Sequence, residues 1–325
     1  MTTLVIFDDQ QDRSPIKDEI EKATGFTVHF ECLEGKVPRD VVDDALKNFD
    51  PPNLVFFDHV LDKANQESTI RKGASLAPWI REAWPGIPFF AVTAAYDDCR
   101  KEQSSHVYEA IFRWEQFSEL VKWLPSVIEG YEKLEAIGSI EEFVDLLNPS
   151  DHIRSTLISS IPEKLIQTVE SKDFKNHAFR WIYKTLQTRP GYLLDLPWVA
   201  VELGVKLKNV KEFLASVEDA RYQGIFENTD APRWWRDRIY SRCFKDEIDP
   251  TTSIQNAACQ VLKIEDGKRG VCASCKELWP EALGFSDESQ TEVKDLVPLH
   301  LRCSRVHPNT RTIPNYEPVR VMLED

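Results

Sequence analysis

The sequence contains no run of apolar residues approaching the ~18 needed to cross a bilayer, so a membrane-spanning helix is not expected. It lacks an excess of positive charge. Its 40 Lys+Arg stand against 54 Asp+Glu, a formal net charge of −14. That balance disfavours non-specific nucleic-acid binding, and any DNA contact must come from a local patch. The opening residues, MTTLVIFDDQ, have no basic flank and turn acidic at once, unlike a secretory signal. There is no internal repeat and no low-complexity segment. Hydrophobic residues make up 42% and charged residues 29%, a globular rather than disordered composition. These absences lead to the expectation of a cytoplasmic protein without a membrane partner.

Cysteine is sparse outside one region. Cys32, Cys99, Cys243 and Cys259 are scattered, whereas Cys272, Cys275 and Cys303 fall near the C-terminal end. In a reducing compartment such a cluster points to a metal site rather than a disulfide framework.

What is present begins with an alternation. TLVIFDD, FTVHFEC, NLVFFDHV, IPFFAVTA and YEAIFRW are short apolar or alternating runs, separated by helix-like stretches such as RSPIKDEIEKATG and VPRDVVDDALKNFD. Short strands alternating with helices of about ten or more residues imply a parallel sheet covered on both faces. The chain is long enough for two or three domains. The expected organisation is α/β: a five-stranded doubly wound parallel sheet over 1–134, a mostly helical winged-helix-like domain over 135–245, and a small zinc-stapled module over 246–325.

In doubly wound sheets, function gathers at the carboxyl ends of the strands. Here the first strand ends at Asp8 and Asp9, the third at Asp58, the fourth at Thr93, and the fifth presents Arg113. This arrangement resembles the response-regulator receiver family over about 40% of the chain. The resemblance implies Mg²⁺ held by Asp8, Asp9 and Asp58, a phosphoryl group accepted by Asp58, and Thr93 and Arg113 as switch residues that contact it. It also implies a partner such as a histidine kinase or a signalling complex. Mg²⁺ is a hard cation suited to carboxylate oxygens, and phosphoryl transfer requires positioning and charge neutralisation. The sequence departs from the family pattern at several points. The family's lysine is Arg113, its following proline is Trp114, its aromatic switch residue is Ala110, and the segment HVLDKANQESTIRKG after Asp58 is long. Arginine is not a like-for-like replacement for lysine.

LPWVAVELGVKLKNVKEFLASVEDARYQGIF has a helix-turn-helix rhythm that resembles winged-helix domains. Val199, Leu203, Val205, Val210, Phe213, Leu214 and Val217 would form its core. Gly204 would make the tight turn and Gly224 would end a third helix. A hairpin turning at Asn228–Thr229–Asp230 would form the wing. Candidate DNA contacts are Lys206, Lys208 and Lys211 on the third helix and Arg233, Arg236 and Arg238 on the wing, with Trp234 and Trp235 between them.

Cys272-Ala-Ser-Cys275 and His300-Leu-Arg-Cys303 are two short-spaced ligand pairs suited to tetrahedral Zn²⁺. Three cysteines and one histidine, His300 by spacing rather than His307, would close a structural site. The expected function is a response-regulator-like signalling protein, not an enzyme, whose receiver controls a winged-helix and zinc output that binds DNA. The first alternative is a signalling adaptor that docks partner proteins in a stress or defence system. The second is an HNH-like nuclease, suggested by VPLH near a CxxC.

Overall fold

The computed structural model describes residues 1–65, 70–102, 106–187, 191–227, 231–244, 248–249, 251–284, 296–300 and 303. The chain divides into two compact units. Of the described residues, the first unit takes those within 1–143 and 160–181, and the second takes those within 144–159 and 182–227 and from 231 onward.

The first unit holds a parallel sheet of five strands: β1 (Thr3–Asp8), β2 (Thr27–Cys32), β3 (Leu54–Phe57), β4 (Phe89–Thr93) and β5 (Ala110–Arg113). They lie in the order β2-β1-β3-β4-β5, the expected doubly wound, receiver-like arrangement. The connecting helices are α1 (Pro15–Thr24), α2 (Pro38–Asn48), α3 (Ala77–Ala83) and α4 (Tyr96–Lys101), with α5 (Phe117–Glu135) following β5. Proline in the first turn starts α1 and α2, and Gly25, left-handed at φ 73°, ends α1. Side chains alternate across the sheet. Val5, Phe7, Val55, Phe57, Phe89 and Ala91 meet Val41, Val42 and Ala45 of α2 and Ala77 and Ile80 of α3. On the other face, Ile6, Phe56 and Val92 line a cleft with Ile16 of α1 and Phe117 of α5.

The boundary expected at residue 134 is not where the first unit ends. After α6 (Ile140–Leu146) and α7 (Asp151–Ser160) come α8 (Glu163–Gln167) and α9 (Phe174–Trp181), and residues 160–181 pack with the sheet. Phe179 of α9 lies 5.4 Å from the Phe90 ring and 5.6 Å from the Tyr131 ring, centroid to centroid. Glu109, fully buried, bonds Arg81 at 2.8 Å, Arg180 of α9 at 2.7 Å and the Phe89 amide at 2.5 Å. A buried carboxylate must be paired, and α9 supplies one of its two guanidinium groups.

The second unit is rich in short helices. Asp195 caps α10 (Leu196–Glu202) by accepting from the Trp198 amide at 3.0 Å. Gly204, at φ 66°, makes the turn that follows, where a Cβ would meet Gln255 Cβ at 2.8 Å. The expected third helix is instead two 3-10 segments, Leu207–Glu212 and Leu214–Ala220. Its buried pairs Val210/Phe213 and Val217/Ala220 repeat at three residues, the 3-10 spacing.

The expected wing is also corrected. Residues 228–230 lie outside the described residues. β7 (Trp234–Trp235) pairs antiparallel with β6 (Leu193–Leu194), and Arg236–Cys243 is a helix, α11. Trp235 is fully buried in β7, and Ile239 and Cys243, fully buried and four apart, lie on one face of α11. α12 (Ile254–Val261) then packs on α10 and α11. The unit closes with β8 (Ala282–Gly284) and β9 (Val297–Leu299), an antiparallel pair. Among the described residues, no helix is long and apolar enough to cross a membrane.

Candidate aspartate pocket and metal centre

The carboxyl ends of β1 and β3 bring Asp8, Asp9 and Asp58 together, with one oxygen from each within 4.8 Å of the others. All three are buried, at 1%, 1% and 5% exposure. Each is anchored through one oxygen by a backbone N–H. Gln10 donates to Asp8 Oδ1 at 2.8 Å, Val60 to Asp58 Oδ1 at 3.3 Å, and Lys63 to Asp9 Oδ2 at 2.5 Å. The β3–α3 loop comes close to Asp58. The Gly73 amide donates to the His59 carbonyl at 3.0 Å, and a Cβ on Gly73 would sit 2.3 Å from the Asp58 carbonyl oxygen. Only glycine fits there.

The cation on this pocket is one the sequence reading missed. Arg13 Nη1 donates to Asp58 Oδ2 at 2.6 Å and to Asp8 Oδ2 at 3.2 Å. Its guanidinium carbon lies 4.4 Å from the centre of the Trp114 ring, a cation–π contact. One guanidinium does not neutralise three buried carboxylates. Burial, with the charge of Asp8 adding to it, pushes Asp58 up to about 6 against the pull of Arg13. Burial likewise raises Asp8. A cluster whose oxygens converge and whose negative charge is under-compensated fits a hard divalent cation.

Thr93 is buried at the end of β4, and its hydroxyl accepts from the Ala95 amide at 3.1 Å, keeping its own hydrogen as a donor. Arg113 is its register partner on β5. The Arg113 guanidinium, however, pairs with Asp97 at 2.9 Å and lies 4.4 Å from the Tyr96 ring centre. The structure thus gathers Asp8, Asp9 and Asp58 as expected, and the charge contacting Asp58 comes from Arg13, not Arg113. Beside Asp58, His59 is buried, with Nδ1 3.4 Å from the Tyr108 hydroxyl and Nε2 3.2 Å from Glu102. Burial lowers the His59 pKa, so the neutral ring accepts from Tyr108 and donates to Glu102.

In the second unit, Cys272, Cys275, His300 and Cys303 form a cluster whose ligand atoms lie within 4.8 Å of one another. The CxxC turn is closed by the Lys276 amide on the Cys272 carbonyl at 3.0 Å and the Cys272 amide on the Glu277 carbonyl at 2.8 Å. The Ala273 amide ties it to the Pro298 carbonyl of β9 at 2.8 Å. His300 follows β9 directly, and its Nδ1 lies 3.3 Å from Cys275 Sγ. Its Nε2 is 3.0 Å from the Leu278 carbonyl, which fixes the hydrogen on Nε2 and turns Nδ1 inward as the ligand atom. Burial raises the Cys272 thiol, but amide donors from His300, Cys275 and Ser274 outweigh it and bring the group down to about 6. Three sulfurs and one imidazole make the donor set of a closed tetrahedral site. His307 lies outside the described residues.

The basic residues assigned to DNA are mostly engaged elsewhere. Arg233 is buried and donates to the Gln187 carbonyl at 2.7 Å. Arg236 pairs with Glu202 at 2.8 Å. Arg238 donates to the carbonyls of Asn148 at 2.8 Å and Asp219 at 3.2 Å. Lys206 donates to the Gly267 carbonyl at 2.7 Å, and Lys208 and Lys211 are exposed.

No family model and no curated protein sequence matches the chain. Among solved structures it is similar to the chemotaxis response regulator CheY4 of Vibrio cholerae, at 14% identity over 39% of this chain and 98% of that one, TM-score 0.31. It is also similar to a response regulator receiver domain protein from Clostridium thermocellum, at 13% identity over 38% and 92%, TM-score 0.27. A third is the Mn(2+)-bound form of the response regulator Rcp1, at 16% identity over 39% and 93%, TM-score 0.29. These similarities fall on the N-terminal part of the chain.

Proposed function

We propose that the chain is a receiver-type signalling protein whose aspartate pocket takes Mg²⁺ and whose Asp58 accepts a phosphoryl group. The observation that carries this is the convergence of Asp8, Asp9 and Asp58, buried and backbone-anchored, at the carboxyl edge of a β2-β1-β3-β4-β5 sheet. In the step proposed, an Asp58 carboxylate oxygen attacks the phosphorus of a donor such as a phosphorylated histidine kinase. The bond from phosphorus to the donor breaks, an acyl phosphate forms, and the leaving group takes up a proton from solvent. Bound Mg²⁺ supplies positive charge for the phosphoryl oxygens. The Thr93 hydroxyl donates to one of them. The test is intact-mass measurement after incubation with a small phosphodonor and Mg²⁺. Wild type should gain one phosphoryl group and D58N none. No gain in native wild type, while a control receiver gains one, would leave a pseudo-receiver.

For the output region, the burial of Arg233 and the pairing of Arg236 and Arg238 with protein acceptors support docking of a partner protein over DNA binding. A gel shift with genomic fragments across a salt series is expected to show no sequence-preferring complex. One that persists at moderate salt would restore the DNA reading, with Lys206, Lys208 and Lys211 as its contacts. We assign Zn²⁺ to the Cys3His cluster as a structural ion. Four protein ligands leave no open position for an activated water, which supports a non-enzymatic module over an HNH-like nuclease. Cysteines kept as thiols or zinc ligands rather than disulfides support a reducing, cytoplasmic setting.

A further inference from the structure

Arg13 stands where a cation shared by Asp8 and Asp58 would stand. A single nitrogen, Nη1, reaches the oxygen of each carboxylate that the backbone leaves free, at 2.6 and 3.2 Å. The same guanidinium rests on the Trp114 ring at 4.4 Å. Trp114 follows β5 directly and begins the 3-10 turn, Trp114–Gln116, that leads into α5. Its indole nitrogen is buried with no hydrogen-bond partner. Beside the ring lies the apolar cleft formed by Ile6, Ile16, Phe56, Val92 and Phe117. Arg13 itself ends a three-residue 3-10 turn, Gln11–Arg13, that has no side-chain cap.

From these observations we infer that Arg13 is a built-in counter-ion that exchanges with a divalent cation, and that Trp114 reads the exchange. The inference rests on the cation-binding reading of the pocket given above. Two positive centres within bonding distance of the same two oxygens repel each other strongly where water is largely excluded. Entry of a divalent cation therefore drives Nη1 off Asp8 and Asp58. Once the guanidinium leaves, the Trp114 ring loses its cation–π partner. It keeps a buried N–H without a partner, and its electronic surroundings change with the loss of the cation. The ring at the start of α5 thus acquires two environments, set by which cation holds the carboxylates. This gives the chain an aromatic reporter next to β5 even though Ala110 occupies the usual aromatic position.

The experiment uses the full chain with Mg²⁺ as the probe, followed by isothermal titration and by intrinsic fluorescence, with circular dichroism confirming the fold of each variant. Removing two charge-assisted hydrogen bonds from the competitor corresponds to a gain of about tenfold or more. R13Q is therefore expected to bind Mg²⁺ that much more tightly than wild type. R13K keeps the charge but lacks the guanidinium's reach, so its affinity falls between the two. Adding D8N to R13Q abolishes the gain. Wild-type fluorescence changes on Mg²⁺ saturation, and W114F still binds Mg²⁺ but loses most of that change. If wild type binds at least as tightly as folded R13Q and R13K, Arg13 is not a competitor, and the pocket reading stands without it. If W114F keeps the wild-type fluorescence change, Trp114 does not read the exchange. If no folded protein binds Mg²⁺, the cation-binding reading itself falls and the exchange falls with it.

Discussion

Asp58 shows how burial and charge decide a residue's behaviour. Its pKa is pushed up to about 6, from an ordinary 3.8, first by desolvation and then by Asp8. A carboxylic acid that holds its proton more tightly when folded makes the fold less stable as pH rises through that window. Below about 4 the folded and unfolded chains are both protonated there. Above about 6 the folded chain bears a buried charge that the unfolded chain solvates. In metal-free buffer D58N should be more stable than wild type at pH 7, by up to about 3 kcal/mol. That advantage should shrink as pH falls from 6 to 4, measured by urea unfolding across pH. An advantage independent of pH would show that Asp58 is ionised without penalty. The acids themselves were legible in the sequence, because strand ends in a doubly wound sheet have a known geometry. Arg13 was not. An arginine five residues beyond Asp8 on a polar loop has the same local signature as one that points to solvent. Only the turn at Gln11–Arg13 directs it inward. Arg113, although well placed in register, has Asp97 and Tyr96 as nearer partners on α4.

At the scale of elements, hydrophobic period separated what could be read from what could not. The five strands and the helices between them carried clear alternation and breakers, and the structure places them as expected. The segment after Asp230 did not read correctly, because two adjacent tryptophans followed by charged residues resemble a hairpin strand. Trp235 is instead a buried strand residue of β7, and Ile239 and Cys243 form the buried face of α11. That element is a core support and not a DNA-facing wing. Truncating a large, fully buried aromatic costs about 3–5 kcal/mol. W235A is therefore expected to lower unfolding free energy by that amount, whereas an exposed wing tryptophan would cost well under 1 kcal/mol. Denaturant midpoints compare the two. α9 is helical in the sequence pattern, FKNHAFRWIYKTLQ, but that pattern did not assign it to the first unit. Its membership in the first unit depends on the long-range partner Glu109, and helical periodicity does not reveal which sheet a helix will cover.

At the scale of the molecule, the chain joins a sheet that stands on its own apolar core to a region whose described elements are short. Among the described residues, the second unit's terminal part has the short antiparallel pair β8 and β9 beside the CxxC turn. Strands this short gain from a metal staple that ties the CxxC turn to the end of β9. Purified protein should carry about one equivalent of zinc by elemental analysis. C275S and H300A should lose the zinc and lower the thermal midpoint. Less than half an equivalent after mild purification would defeat the zinc assignment.

The most direct test of the central claim is chemical trapping at position 58. After incubation with a small phosphodonor, borohydride reduction converts an aspartyl phosphate to homoserine, which peptide mass mapping locates. Homoserine at position 58 with Mg²⁺, and its loss when Mg²⁺ is chelated, is the expected result. Aspartate unchanged at position 58 with Mg²⁺ present, in protein shown to be folded, would contradict the claim.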